Sequence, residues 1–356
     1  MNRATLIAIH RRDDSFSDRW LERCSELKIP HQVVDCHASD IVSRIRSSSA
    51  LMWHWTHSSP ADLLMARAVL SSAELMGLEV FPSIATCWHF DDKVAQKYLL
   101  EAAGAPVPRS WTFYELQRAL DFVDRAPLPL VFKLRRGAGS TNVRLARTRR
   151  EAQALARQAF AEGFVPAKGV STDLKLRLAR VRARALPDVV ATIKRLPATL
   201  NNIRRARRES TPEKGYLYFQ EFLPGNEYDT RVTVIGERAF AFTRNVRPGD
   251  FRASGSGSLD YDDRRIDKRC LEIAFDVARR VGSQSMAFDF VRDAVGAPRV
   301  VEVSFGYLSK AVHDCPGHWD RGLGWHPGHL WPEDAILDDL LARLEQRGRR
   351  SEELSG

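Results

Sequence analysis

Short apolar runs alternate with amphipathic stretches over residues 4 to 81. ATLIAI, HQVVDC, ALMWHW and LEVFP read as strands. SFSDRWLERCSELKI, DIVSRIRSS and PADLLMARAVLSSAELMG, which lie between them, read as helices. Trp20, Leu21, Cys24 and Leu27 fall on one side of the first helix, and Pro60 sits near the first turn of the third. A β-α-β-α-β-α-β order predicts a parallel sheet with helices on both faces. No glycine fingerprint follows the first strand, so a dinucleotide fold is not supported.

Beyond residue 90 the pattern changes. DDKVAQKYLLEAAG predicts a helix capped by Asp91 or Asp92 and ended by Gly104, with Lys93 and Lys97 on one face. APVPRSWTFY is an extended entry into a new domain, and LPLVFKL is a strand carrying Lys133. The Gly/Ser turn RRGAGSTNVRLA follows, and such a turn exposes N–H groups able to cradle phosphates. Residues 149–162 look helical. The stretch 165–215 is basic: Lys168 to Lys214 holds 13 Lys/Arg against four acidic residues. It reads as a solvated lid or insertion, or as a surface for anionic lipid, acidic polysaccharide or nucleic acid. No aromatic interleaving supports single-strand binding. YLYFQEFLPGNEYDTRVTVIGERAFAFTRNVRPG is strand, link, strand, turn, strand, and FRASGSGS is a flexible loop. The amphipathic helix IDKRCLEIAFDVARRVG precedes a hairpin, SMAFDFVRDAVGAPRVVEVSFG. Residues 307–331 are rich in Gly, His and Trp, and 333–346 are helical.

The hairpin carries candidate chemistry. Residues two apart on a strand share a face, so Glu302 and Ser304 project together and Asp289 can join them from the paired strand. Burying two carboxylates among apolar residues is costly without compensation, and a hard cation such as Mg²⁺ supplies it. A hairpin with one solvated face is the alternative. Trp53-His54-Trp55-Thr56-His57 ends the third predicted strand, where ligands of open α/β sheets bind. It reads as a substrate wall or as packing against the next domain. Cys87-Trp88-His89-Phe90 raises the same choice. The length of 356 residues suggests two or three domains, and 44% hydrophobic content is ordinary for a globular protein. A net charge of +9 suggests an anionic partner. Five scattered cysteines favour free thiols in a cytoplasmic setting.

Taken in order, a strand lysine, a Gly/Ser turn, QEFLPGNEYD, Arg231 and Asp289…Glu302-x-Ser304 resemble the ATP-grasp superfamily of carboxylate–amine ligases. TRNVRPGDFRASGSG is most similar to the ribosomal-protein glutamate ligase branch. The resemblance implies an α/β, α+β ATP-grasp fold. Its parts would be an N-terminal domain over 1–88, a lid subdomain over 89–222 with the basic insertion, a core subdomain over 223–346 and a tail over 347–356. It implies that Lys93 and Lys133 approach nucleotide phosphates and that Gly137, Gly139 and Ser140 close over them. Gln220, Glu221, Phe222 and Leu223 would recognise adenine, and Glu227 the ribose. Asp289 and Glu302, with Ser304 where the family usually has Asn, would hold Mg²⁺ or Mn²⁺. Arg231, Arg244 and Arg252 would steady the transferred phosphoryl group. The implied reaction uses ATP to activate a carboxylate as an acyl phosphate, which an amine then attacks; stopping at phosphoryl transfer, as a kinase does, is the alternative, and a basic binding scaffold a third.

Acceptor specificity is expected from Tyr307, Ser309, Lys310, His313, Asp314, Cys315, His318 and Trp319, which follow the metal strand, together with Trp53, His54 and His57. The spacings Cys315-x-x-His318 and His326-x-x-His329 fit no common zinc set. Tryptophan and histidine content suits stacking on a sugar ring, so a sugar acid or an amino-acid substrate is expected. Small-molecule carboxylate and amine partners are expected and nucleic acid is not. Residues 168–214 would make at most weak contact with a membrane surface or anionic polymer.

Overall fold

The structure is a computed structural model, and it describes residues 5–137, 142–166, 212–246 and 258–353. In the first sheet, β1 (Ile7–His10), β2 (His31–Val34), β3 (Ala50–Met52) and β4 (Glu79–Phe81) run parallel in the order β2-β1-β3-β4. Their connections are the helices α1 (Phe16–Glu26), α2 (Ile41–Arg44) and α3 (Pro60–Leu75). Ser15 caps α1 and Ser59 caps α3, each side chain accepting a backbone N–H of the first turn. The short helix α4 (Ile84–Cys87) follows β4. The third strand is shorter than its apolar run. It stops at Met52, and Trp53 and Trp55 leave the ladder yet stay inside the core.

Helix α5 (Lys93–Ala102) leads to the second sheet, which is antiparallel. It consists of β5 (Ser110–Phe113), β6 (Leu130–Lys133), β7 (Val143–Ala146) and β8 (Leu217–Glu221), in the order β5-β8-β6-β7. Helices α6 (Leu116–Val123) and α7 (Arg149–Phe160) pack on it around Ala119, Leu130, Phe132, Ala156 and Phe219. The strand-and-turn reading of this region did not anticipate α6, although Leu116, Ala119, Leu120 and Val123 keep helical spacing. The basic stretch 165–215 lies for the most part outside the described residues, which resume at 212.

The third sheet has seven strands. These are β9 (Tyr228–Ile235), β10 (Arg238–Asn245), β11 (Leu259–Asp260), β12 (Ser285–Arg292), β13 (Pro298–Ser304), β14 (Gly317–Asp320) and β15 (Trp325–Pro327). They run β13-β12-β9-β10-β14-β15, with β11 beside β10. One face carries the amphipathic helix α8 (Lys268–Val281), which ends at the left-handed Gly282 (φ +72°). Residues 307–331, noted in the sequence for Gly, His and Trp content with no element assigned, form α9 (Ser309–His313) and the β14–β15 extension of this sheet. Glycines and histidines break the alternation there, so pairing with β10, not local pattern, makes those strands.

The last helix, α10 (Pro332–Glu353), packs back on the first sheet. Arg19 donates to both carboxylate oxygens of Asp334 at 2.8 Å, and Trp20 Nε1 donates to the Glu333 carbonyl at 3.1 Å. One apolar cluster therefore joins Ile7, Ile9 and Trp20 to Ile235, Phe240, Phe242, Ile336 and Leu340. All five cysteines are free and buried. Among the described residues no helix is long and apolar enough to cross a membrane.

Leu340 is fully buried where the N-terminal and C-terminal layers meet. Leu340→Ala is expected to cost about 2–5 kcal/mol by leaving a cavity. Urea unfolding followed by tryptophan emission measures this; a loss under about 1 kcal/mol would contradict the shared core.

Candidate active site

Strand alternation builds one half of the site. Arg231 on β9 lies opposite Asp289 on β12, and Asp289 lies opposite Glu302 on β13. On the other side of β9, Asp229 faces Arg244 on β10. Arg231 grips Asp289 with two hydrogen bonds, Nε to Oδ1 at 2.7 Å and Nη2 to Oδ2 at 2.8 Å. Arg244 Nη2 reaches the same Oδ2 at 2.8 Å, and Arg244 Nε donates to Asp229 Oδ1 at 2.8 Å. Asp289 and Asp229 are 5% and 1% exposed. Burial alone would raise the Asp289 carboxyl, but Arg231 and Arg244 together hold it well below the usual carboxylate range. Asp229 is held by Arg244, and burial pushes it up to about 6.

The second half comes from α5 and the second sheet. Asp92 is the cap of α5, its Oδ1 accepting from Ala95 N at 3.0 Å. Asp91 does something else: with φ +54° it turns toward the glycine turn and accepts from Gly137 N at 2.9 Å. Lys93 Nζ donates to the Gly137 carbonyl at 2.7 Å and lies 3.4 Å from Glu302 Oε1. Gly137 has φ +117°, where any Cβ is strained and would also crowd the Asn142 side chain, so glycine is favoured. Lys133, at the end of β6, has its ammonium lowered to about 8 by burial; the like charge of Lys93 adds to this, against the pull of Glu302 and Asp289. Lys93, Lys133, the Gly137 backbone, Glu302, Asp289, Arg231 and Arg244 thus converge.

Divalent-cation chemistry fits this donor set in a particular way. Asp289 already accepts three hydrogen bonds from arginines, against about four lone-pair sites on a carboxylate. Glu302 is more open, in ion-pair contact with Lys93 at 3.4 Å and with its side chain 39% exposed. The Ser304 hydroxyl turns away, donating to the Gly306 carbonyl at 2.8 Å. Glu302 with one lone pair of Asp289 suits a single ion, and Ser304 must rotate to contribute.

The link after β8 is held by its own contacts. Gln220 is buried and donates to Tyr218 OH at 3.3 Å, and Glu221 pairs with Arg109 at 3.3 Å. Phe222 and Leu223 are half-buried, and the Leu223 carbonyl accepts from Asn226 at 3.2 Å. Glu227 is exposed and borders a cleft of about 240 Å³ with Tyr228, Thr230, Phe290 and Arg292. Thr230 and Phe290 are next to Arg231 and Asp289 in sequence and point to the opposite sheet face. Gly139, Ser140 and Arg252 lie outside the described residues.

Several expected substrate residues are not gathered here. Trp53 is fully buried against His10 at 5.2 Å, so it is a core side chain and offers no face to a ligand. Tyr307 is buried too, hydrogen-bonded to Ser285 at 2.7 Å. Trp319 is 5% exposed and packs on Trp325, and Cys315 is 1% exposed. Lys310 is exposed and pairs with Asp314 at 2.9 Å, and His313 stacks on Trp331 at 3.9 Å. His54 stacks on Phe16 at 3.8 Å and its Nδ1 lies 3.4 Å from Phe16 N at the start of α1. Burial, then Arg12, lowers its pKa to about 3, so it is a neutral acceptor. His57 is nearer the site, close enough to Asp91 to act on its carboxyl, and packs edge-on against Phe90 at 5.8 Å. Among the described residues, the grouping of side chains close enough to share a metal is His10, Asp35 and His37, not the C-terminal histidines. His10 Nδ1 accepts from Cys36 N at 3.0 Å, which leaves the proton on Nε2 and argues against ligation. Asp91 reads in the sequence only as a possible helix cap, and Asp229 escaped the sequence reading. Asp229 carries the same signal as Asp289, a carboxylate within a β-rich run, and lies two residues from Arg231.

No protein-family model matches the chain. A stretch of 157 residues, 44% of the chain, is 28% identical to the N5-carboxyaminoimidazole ribonucleotide synthase of Mycobacterium tuberculosis. That stretch spans 35%, about a third, of the relative's length. Among solved structures, a RimK domain protein ATP-grasp from Sphaerobacter thermophilus superposes with a TM-score of 0.53 at 15% identity, covering 94% of this chain and 99% of that one. The D-alanine–D-alanine ligase of Bacillus anthracis, complexed with ATP, gives 0.55 at 11% identity, covering 97% and 99%. The chain has the ATP-grasp fold.

Two outcomes test this geometry. Arg244→Met strips Asp229 of its partner and is expected to destabilise by about 3–5 kcal/mol, with Asp229→Asn in the same chain recovering part of the loss; equal stability of the wild type and both variants by chemical denaturation would contradict the buried network. His54 has a folded pKa of about 3, below its ordinary value of 6.5, so the unfolded chain binds the extra proton between those pH values. Stability is full above pH 6.5 and falls as pH drops toward 3, and His54→Gln is expected to flatten that part of the profile.

Proposed function

We infer that this chain, built on the ATP-grasp fold, is an ATP- and Mg²⁺-dependent, ADP-forming ligase that joins a carboxylate to an amine. The observation that carries this reading is the convergence of Lys93, Lys133 and the Gly137 backbone on the cross-strand carboxylates Asp289 and Glu302. Two ammonium groups beside two carboxylates suit a polyphosphate with its divalent cation. The solved relatives include a ligase complexed with ATP, which agrees with that assignment.

In the proposed reaction a substrate carboxylate oxygen attacks the γ-phosphorus, and the bond to the bridging oxygen of ADP breaks. An amine then attacks the acyl carbon, the bond to the phosphate oxygen breaks, and the amine releases a proton. Such transfer needs positioning and charge neutralisation more than a protein nucleophile. Lys93 and Lys133 would bind phosphate oxygens, Arg231 and Arg244 would balance charge on the transferred group, and Gln220 to Leu223 with Glu227 would hold the nucleoside. Asp289 and Glu302 would hold Mg²⁺, which when bound supplies further charge neutralisation. Gly139, Ser140 and Arg252 enter only through the resemblance. A sugar-ring substrate loses its physical motive, because Trp53 and Trp319 are core residues.

Release of ADP from MgATP tests the reading. Release that requires both a carboxylate and an amine supports ligation; release with the carboxylate alone, giving a stable phosphorylated product, supports a kinase. Glu302→Gln is expected to lower turnover by about 10²–10³-fold with an unchanged unfolding midpoint, and full activity would overturn the cation assignment. Lys133 adds a pH test. Its ammonium is lost near pH 8 in the free protein, so nucleotide affinity is expected to fall as pH rises above 8. Lys133→Met should bind weakly at every pH and lose that slope; an unaltered slope would exclude Lys133 as its source.

A further inference from the structure

Helix α3 has apolar residues on both sides. Its inner side buries Ala66, Val69, Leu70 and Ala73 against the first sheet. Its outer side carries Leu64 and Leu75, which are 87% and 89% exposed. With Ala68 and Ser71, also exposed, these residues are spaced four, three and four apart and form one straight stripe. Helices α2 and α4 pack beside α3. Val42 on α2 and Trp88 at the end of α4 are exposed as well, at 38% and 40%. A helix apolar all round belongs in an interior, and clustered large apolar side chains on a surface mark an interface.

The pattern also says what covers it. Read backwards, the stripe is the same: leucine, small residue, small residue, leucine. Two copies of α3 set antiparallel about a two-fold axis would place Leu64 of one against Leu75 of the other. The small pair Ala68 and Ser71 would meet at the axis and let the helices approach closely. Arg67 and Glu74 both lie on one flank of the stripe. A two-fold axis normal to the helix pair keeps that flank on the same side in both copies, so Arg67 falls beside Glu74 of the second copy, twice. Shape and charge are thus self-complementary, as an isologous contact requires.

We propose that the outer face of α3 is the interface of a homodimer, its occupant a second copy of this chain in antiparallel α3–α3 contact. The facing stripe is one helix wide, so the dimer is expected to dissociate at micromolar concentrations and not to be obligate. The contact lies outside the candidate active site, and its success or failure is separate from the proposed ligase chemistry.

Sedimentation velocity on the full chain across a concentration series tests it. The wild type is expected to show a monomer–dimer equilibrium. Leu64→Glu and Leu75→Glu, each at an exposed position that a glutamate fills without disturbing the fold, should weaken association by at least about tenfold with unchanged melting. Because every native cysteine is buried, an added surface thiol reports cleanly. The Leu64→Cys, Leu75→Cys double variant should form an intermolecular disulfide on mild oxidation, and each single variant far less. A monomer at all concentrations overturns the proposal. So does a dimer that survives both glutamate variants, or one that fails to cross-link, since either places the contact on another face.

Discussion

The candidate site depends on how one buried carboxylate is neutralised. Asp289 sits inside the large sheet, where an isolated ion would cost several kcal/mol. Arg231 from the neighbouring strand grips both oxygens, and Arg244 reaches over from β10 while also holding Asp229. The quartet spans three adjacent strands. It also specifies pairing, because a one-residue slip of β12 would turn Asp289 into the apolar layer beneath α8 and leave Arg231 facing Phe290 or Phe288. Correct register at Asp289 places Glu302 directly across β13.

The rest of the site is brought to that carboxylate pair by one helix. Helix α5 buries its N-terminal lysine, and its backbone is tied to the second sheet through Lys93 N donating to the Arg135 carbonyl at 2.9 Å. Asp91 and Lys93 hold Gly137 from its N–H and its carbonyl, so the glycine turn is fixed at one residue from both sides. The far end of the chain is anchored differently. Helix α10 completes the apolar core of the first sheet, so residues more than 300 apart in sequence share one layer.

Most strands and long helices were legible, because their apolar periodicity is local. The strand lysine, the glycine turn and the hairpin carboxylates stand out for the same reason: each is a polar residue where the pattern calls for an apolar one or a turn. Asp229 belongs to that class and was passed over beside Arg231. What could not be read was the side to which aromatic residues point. Trp53 just past β3 and Trp319 near the end of β14 stand where ligand-stacking residues do, but so do tryptophans that close a core, and composition does not separate the two. Trp319 is covered by Trp325 of β15, and Trp53 sits in a core that takes in Phe305 from distant sequence. The β14–β15 strands were missed on the same ground, since pairing with β10 outweighs a weak local propensity.

The charge inventory adds a constraint on the proposed chemistry. Among the described residues, Lys93, Lys133, Arg231 and Arg244 face Asp91, Asp229, Asp289 and Glu302, four cations against four anions. Under the ligase reading, an arginine that turned from Asp289 to a phosphate would leave a buried carboxylate uncompensated. A cation held by Asp289 without a phosphate would crowd Arg231 and Arg244 with like charge. Each change is costly alone, and the two offset each other when they occur together. Under that reading, Asp289 would couple nucleotide binding to cation binding through the same two guanidinium groups that fix its place in the sheet.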